Sequence, residues 1–465
     1  MNMINVRRLT VMTFLGAGML SGISAQVSPL QVDTLKETKI PDQWDLQSCI
    51  DYAKEQNITI RKNRITAVST QIDVKTAKAA LFPSLSFSTG HQVVNRPYQE
   101  TSSRVSGSEI ISSNSKTSYN GNYGLNASWT LYNGNKRLKT IQQEKLNNQM
   151  AELDVATSEN NIQESIAQVY IQILYAAESV KVNENTLQVS IAQRDRGQEL
   201  LNAGSIAKSD LAQLEAQVST DRYQLVTAQA TLEDYKLQLK QLLELDGENE
   251  MNIYLPALSD ENVLAPLPTK RDVYISALSL RPEIEASKLN VEASELGINI
   301  AKSSYFPTIS LSAGIGTNHT SGSDFTFGEQ VKNGWNNSIG LSVSVPIFNN
   351  RQTKSAVQKA KLQYETSMLS LLDEQKTLYK TIEGLWLDAN SAQQRYAAAN
   401  EKLKSTQISY ELISEQFNLG MKNTIELLTE KNNLLQAQQE QLQAKYMAIL
   451  NMQLLKFYQG DQLAI

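Results

Sequence analysis

The chain has 465 residues with only 10 prolines and 21 glycines, too few for a fold of many short strands, so long helices must dominate. Its 43 Lys and Arg against 48 Asp and Glu give a formal net charge of −5, which excludes a basic nucleic-acid-binding surface. The single cysteine, Cys49, cannot form an internal disulfide, and with His91 and His319 the only histidines a multi-histidine metal site is excluded within one chain on this reading.

Residues 1–25 read as a secretory signal peptide. Arg7 and Arg8 precede the apolar run Leu9 to Leu20, and Ser24-Ala25 offer small residues for cleavage before Gln26. Cleavage removes two basic residues and no acidic ones, shifting the formal charge from −5 to −7. No later stretch approaches a transmembrane helix, so only strands could cross a membrane.

The spacing of apolar residues predicts an N-terminal segment and first helix over 26–81, ended by Phe82-Pro83 because proline cannot continue a helix. A strand pair is expected over 82–134. Leu85, Phe87 and Val93 share one face of its first strand; Tyr119, Tyr123, Leu125, Ala127, Trp129 and Leu131 share one face of its second, with Ser, Asn, Thr and Gly between them. The polar stretch 95–118 between them has no periodicity and reads as an exposed loop. A long helix and helical hairpin follow over 135–248. Ile162, Ile166, Val169 and Ile173 form a coiled-coil seam, the hairpin turns at 203–209 around Gly204, and the returning helix carries heptads from Leu211 to Leu242 in which Asp221 alone is polar.

After a proline-containing linker at 249–270, the same order of elements recurs. A helix over 271–305 contains the turn Leu280-Arg281-Pro282-Glu283, and a second strand pair lies at 306–349 with a loop at 317–334. A second long helix and hairpin span 350–457, turning at 418–424 around Gly420, before a tail at 458–465. The final helix shows Leu428, Leu435, Leu442 and Ile449 every seventh position. AKAALFPSLSFSTG (77–90) aligns without gaps on AKSSYFPTISLSAG (301–314), and the second strand of each pair and the hairpin glycines, Gly204 and Gly420, recur in the same order. A period of this length implies a duplication. Pro346 stands where the first copy has Thr130, so that strand end should leave the ladder.

None of the four strands contains Asp, Glu, Lys or Arg between its ends. An apolar face beside a small polar face is the transmembrane-barrel pattern, and every helix already spends its seam on another helix. Four strands cannot close a barrel, which takes about eight, so one chain supplies a fraction of it. Phe82, Trp129, Tyr132, Phe306 and Phe348 sit where strands meet helices and read as a membrane-interface girdle, with Lys78, Lys136, Arg137, Lys302 and Arg351 just beyond.

The duplicated Phe-Pro helix end, the Val345-Pro346-Ile347-Phe348 strand end, the 280–283 turn and the two glycine hairpins together resemble the TolC family of outer-membrane efflux proteins, from about Trp44 to Gln459. The resemblance implies a mainly α protein with membrane β structure: a homotrimer whose 12-stranded outer-membrane barrel continues as a long α-helical periplasmic barrel. It implies a periplasmic adaptor (membrane fusion) protein docking at the hairpins, with Gly204, Gly420, Ser205 and Met421 at the turns. It also implies a proton-driven inner-membrane pump and contact with outer-membrane lipid. A gate at the helical tip would involve Asp210, Lys422, Glu426, Phe417 and Thr429. Thr429 departs from the aspartate frequent in the family, which weakens an acidic ring. The competing reading of Asp210 and Glu426 is helix N-terminal charge, favourable by roughly 0.3–1 kcal/mol each.

The implied function is a passive exit duct without nucleotide, cofactor or metal, since no Gly-rich phosphate loop precedes a helix and no catalytic constellation stands out. The alternative is a periplasmic coiled-coil structural or adaptor protein, which the charge-free alternating strands disfavour.

Overall fold

The computed structural model describes residues 40–463 apart from 99–101, 107–108, 114–115, 247–250, 257–262, 322 and 324; the signal peptide expected at 1–25 lies outside them. Two short helices, α1 (Leu46–Gln56) and α2 (Ile58–Ala79), lead into β1 (Ser84–Asn95), a small hairpin of β2 (Ser102–Ser106) and β3 (Glu109–Ser113), and β4 (Thr117–Asn133). Then come α3 (Lys136–Asn202) and α4 (Lys208–Leu242). The second half runs α5 (Lys270–Leu280), α6 (Pro282–Ser303), β5 (Thr308–Thr320), α7 (Phe327–Asn333), β6 (Asn336–Ser344), α8 (Gln352–Asn418) and α9 (Thr424–Gln459).

Helices α3 and α8 have 67 residues each, so each is about 100 Å long. Against α3, α2 packs near one end and α4 toward the other, while α6 and α9 occupy the space between α3 and α8 in the same head-to-tail manner. The joints show how two shorter helices continue one column. At the first, Asn57 Nδ2 donates to the α4 carbonyl of Leu242 (3.0 Å), and Ile58 N–H donates to Glu244 Oε1 (3.2 Å). At the second, Arg281 lies 4.1 Å over the ring of Tyr458, near the end of α9. One chain therefore supplies four helical columns.

The first helix expected within 26–81, over 45–81, is thus broken at Asn57. The Asn57 side-chain oxygen accepts from Thr59 N–H (2.9 Å) and Ile60 N–H, which caps α2, while the Asn57 backbone N–H closes α1 on Ala53. Asparagine competes with the helix for its own backbone, so it favours a cap over the interior. Arg281, its counterpart in the second half, occupies the same kind of break before Pro282. The thickest hydrophobic packing lies at these joints: Trp44, Ile50, Ile166, Tyr170, Ile173, Leu239 and Leu243 at the first, and Val273, Ile284, Leu378, Ile382 and Leu455 at the second.

The main sheet is antiparallel in the order β1-β4-β5-β6. Register places Phe87, Leu125 and Ile315 in one row, and Leu341 beside Leu311 and Trp129 in another. The other face has rows such as Ser84, Ser128, Ser312 and Gly340. Both outer strands are open to solvent in the single chain, with Ile339 83 % exposed. β6 ends at Ser344, leaving Val345 and Pro346 outside the ladder as the missing proline N–H requires.

Two loops hold more order than their composition suggests. The loop expected at 95–118 contains the β2–β3 hairpin, and the loop expected at 317–334 contains the end of β5 and α7. Helix α7 starts on a Thr326–Glu329 capping box, a local signal that a reading by composition passes over. In α9 the buried seam is Leu427, Lys431 and Leu434, one position from the expected Leu428 and Leu435, which are half-buried. A helix with neighbours on two sides carries two apolar stripes, and periodicity alone does not distinguish them.

Candidate functional site

Where strands turn into long helices, each copy uses two consecutive left-handed residues. Gly134 and Asn135 have φ of +67° and +63°; their counterparts in the second half, Asn350 and Arg351, have +50° and +65°. Gly134 is pressed against the neighbouring repeat: a Cβ there would lie 2.6 Å from the Ser303 carbonyl oxygen and 2.9 Å from Phe306 Cβ. Ser303 Oγ donates to the Gly134 carbonyl (2.9 Å), joining the end of α6 to the start of α3.

The girdle residues gather at this level. A register shift between Thr130 and Tyr132 leaves Leu131 extra, so the expected alternation stops before Leu131: Trp129 opposes Leu311, and Tyr132 in place of Leu131 opposes Ile309 on the apolar face. Trp129 Nε1 donates to the Leu81 carbonyl (2.7 Å), which anchors the ring beside Phe82. Phe82 and Phe348 are 73 % and 83 % exposed, and Phe306 is also exposed. Arg137, expected as a cation beyond the girdle, instead uses its guanidinium within the chain, donating to the carbonyls of Ala80 (2.7 Å) and Thr130. Those carbonyls end α2 and flank the β4 bulge, so one side chain closes both.

At the opposite end of the helices the two hairpins share one backbone solution. Gly204 N–H reaches Leu201 O (2.9 Å) and Ser205 N–H reaches Leu200 O (2.8 Å); Gly420 N–H reaches Phe417 O (2.9 Å) and Met421 N–H reaches Gln416 O (2.8 Å). With φ of +71° and +70° at the glycines, each is a Schellman C-cap. The side chains differ. The second hairpin exposes Leu419, Met421 and Ile425, whereas Ala203, Ser205 and Ser209 stand at the corresponding positions of the first.

The residues expected at the gate are engaged within their own hairpins. Asp210 accepts from Ala207 N–H (3.1 Å) across the first turn of α4. Glu426 accepts from Asn423 N–H (3.2 Å) and from Lys422 Nζ (2.6 Å), while the Asn423 side chain accepts in return from Glu426 N–H (2.9 Å). The Lys422 hydrogen bond, followed by the Asn423 N–H, holds the Glu426 carboxyl below the usual carboxylate range. Phe417 is buried, and Thr429 is exposed with its hydroxyl donating to the Ile425 carbonyl (2.8 Å). Asp210 and Glu426 each cap the first turn of their own helix, and Glu426 is also paired with Lys422; among the described residues of one chain no ion pair joins Asp210 to Lys422.

Two polar clusters are not evident from the sequence. Arg281, 6 % exposed, pairs with Glu164 (2.9 Å) and Glu283 (2.8 Å) beneath Tyr458; burial raises the Glu164 carboxyl despite the arginine. Elsewhere on the same wall, Lys431 of α9 pairs with Asp221 of α4 and with Ser190 of α3. Asp221 at a heptad core position already demands a buried cation. Its partner is hidden by the one-position ambiguity in the α9 stripes.

Among the described residues no helix is long and apolar enough to cross a membrane. The chain is 24 % identical over 290 residues to outer membrane efflux protein BepC of Brucella suis biovar 1 (strain 1330), a match that covers 62 % of this chain and 60 % of BepC. It is 24 % identical over 294 residues to outer membrane protein TolC of Escherichia coli (strain K12), covering 61 % and 58 %. These matches therefore span less than two thirds of either curated relative. In fold it resembles the solved structure of CusC with a TM-score of 0.75 at 19 % identity, over 90 % of this chain and 92 % of that one. Residues 49–244 and 273–460 match the outer membrane efflux protein family, and the chain belongs to it.

Proposed function

We propose that this protein is the outer-membrane exit duct of a tripartite efflux or secretion system, passively conducting substrates received from a periplasmic adaptor and a proton-driven inner-membrane pump. The observation that carries this reading is the charge-free four-stranded sheet with two open edges, continuous with 67-residue helices on one side only. Four strands fall short of any closed barrel, whereas three copies joined β1 to β6 give twelve strands and twelve helical columns, a 12-stranded barrel on an α-helical tunnel. The left-handed turns, hairpin caps and column breaks shared by corresponding positions of the two halves support a duplicated half as the origin of this arrangement.

In this assembly Phe82, Trp129, Tyr132, Phe306 and Phe348 mark the periplasmic interface of the outer membrane. The turns at Gly204-Ser205 and Gly420-Met421 present the adaptor-docking surface. Asp210, Lys422, Glu426, Phe417 and Thr429 line or brace the tunnel tip, where three copies converge. The periplasmic structural or adaptor reading accounts for the coiled coils but leaves the exposed apolar sheet without a solvent.

Deleting the gene and fractionating its host tests the proposal. An exit duct is recovered with the outer membrane as a trimer, crosslinks to an adaptor through cysteines at Ser205 and Met421, and its loss sensitises cells to pump substrates. Recovery in the soluble periplasmic fraction overturns it.

A further inference from the structure

The only two histidines in the chain, from whose number the sequence reading excludes a multi-histidine metal site, lie on strands separated by one other strand, and the fold brings their rings together with the planes tilted by 58°. His91 of β1 and His319 of β5 both pair with Gly121 of β4. In the alignment of the two halves His91 corresponds to Ile315 and not to His319, so the duplication does not explain their meeting. Gly121 permits it: the His319 ring occupies the place of the missing side chain, with Cε1 2.1 Å from where a Cβ would sit. The two ring centres are 6.4 Å apart.

Tyr119 and Tyr123, two positions either side of Gly121, close the site. The Tyr119 hydroxyl and His91 Nδ1 are 2.8 Å apart, and Tyr123 lies edge-on to His91 (5.5 Å) and stacked on His319 (5.9 Å). His91 Nε2 meets the Thr89 hydroxyl at 3.1 Å, an exposed contact that a stronger ligand can replace. Phe327 of α7 covers His319 edge-on at 4.9 Å. Inside this cage His319 Nδ1 is enclosed and has no hydrogen-bond partner.

We propose that His91 and His319 bind one late first-row transition-metal cation of the copper–zinc class, with Tyr119 or solvent completing the coordination. Imidazole nitrogen suits these cations. A metal about 2.0–2.1 Å from a ring nitrogen lies roughly 3.2 Å from that ring's centre, so two rings sharing one ion span up to about 6.4 Å. That limit belongs to a linear pair; a tetrahedral angle brings the ring centres to about 5.2 Å, so binding draws the two side chains together from 6.4 Å by χ rotation. Among the described residues no three His, Cys, Asp or Glu side chains converge, so the site relies on two imidazoles and a phenol. Binding closes β1, β4, β5 and α7 into one unit at the loop end of the sheet.

The test is calorimetric titration of Zn²⁺ and Cu²⁺ into the untagged protein, purified in detergent as its native assembly. One ion per chain is expected. His91→Ala and His319→Ala should each weaken affinity at least tenfold, and Tyr119→Phe less. Circular dichroism and the oligomeric state of each variant establish that its fold is retained. Should either histidine variant fail to assemble, extended X-ray absorption of the metal-loaded wild type decides, with two imidazole nitrogens expected at about 2.0–2.1 Å. Wild-type affinity no tighter than that of the double variant, or a bound ion without two imidazoles, overturns the proposal and leaves the cluster an aromatic girdle.

Discussion

Lys431 on α9 donates to the carboxylate of Asp221 on α4, with the two side chains only 3 % and 1 % exposed. The Ser190 hydroxyl of α3 donates to the same carboxylate, and Gln217 Nε2 donates to its other oxygen at 2.9 Å. Three columns are therefore tied at one point of a seam that is otherwise apolar. Burial holds the Lys431 ammonium below its ordinary value, with the Asp221 hydrogen bond and charge opposing.

Removing one partner leaves the other as an uncompensated buried charge. Lys431→Met or Asp221→Leu alone should cost about 3–5 kcal/mol of stability. The double variant should recover most of this, because a buried pair is often replaceable by apolar groups of similar volume. Thermal unfolding of all four proteins measures the coupling; strictly additive losses would show that the pair is not the tie described.

Acid should loosen the second hairpin. The Glu426 carboxyl is held below its ordinary value by Lys422 and the Asn423 N–H, so it binds fewer protons folded than unfolded. Its contribution is complete above the unfolded value of about 4.3 and is lost as pH falls through the folded value. If the proposed duct forms, the wild-type protein in planar bilayers should change conductance below about pH 4.3, and Glu426→Gln should abolish that change. An identical pH profile in the variant would remove Glu426 from the tip mechanism.

Three of the four positive-φ glycines, Gly134, Gly204 and Gly420, should respond unequally to alanine. At Gly204 and Gly420 nothing lies within 4 Å of an added Cβ, so each substitution costs the left-handed backbone penalty alone, about 1–2 kcal/mol. At Gly134 the same penalty is joined by collision with the Ser303 carbonyl oxygen and Phe306, so the loss should be several kcal/mol larger or assembly should fail. Denaturation midpoints and oligomer yield of the three variants check this order.

Arg137 should behave as a structural clasp. Arg137→Met removes both donors to Ala80 and Thr130, and should cost about 1.5–3 kcal/mol as a lost charged hydrogen-bonding group. Arg137→Lys should recover only part, since one ammonium lacks the planar fork that spans two carbonyls. Unfolding temperatures of the two variants in detergent decide it; equal stability in both would show that the carbonyls are satisfied otherwise.

Much of this architecture is legible along the chain because it rests on periodicity and punctuation. Phe82-Pro83 and Tyr305-Phe306-Pro307 stop their helices, Gly204 and Gly420 set the hairpins, and the strands alternate without charge. Asn57 is less visible: it interrupts a helical pattern whose apolar spacing continues on both sides. Its role emerges only where the end of α4 offers Leu242 O as a partner. Helix α7 escapes a reading by periodicity because seven residues are too few to establish a period, although its Thr326–Glu329 capping box is written in the sequence.

The sequence by itself determined the order and type of the main strands and long helices, their Phe-Pro and glycine break points and the apolar sheet face, since each depends on residues near one another in the chain. The tertiary structure decided which of two stripes on α9 is buried, whether Arg137 serves lipid or backbone, and that Lys431 answers Asp221. It also decided that His91 meets His319 across Gly121. These are relations between residues far apart in the chain. Side-chain chemistry can state that such a partner is required, but only the register of packed columns and paired strands selects which residue it is.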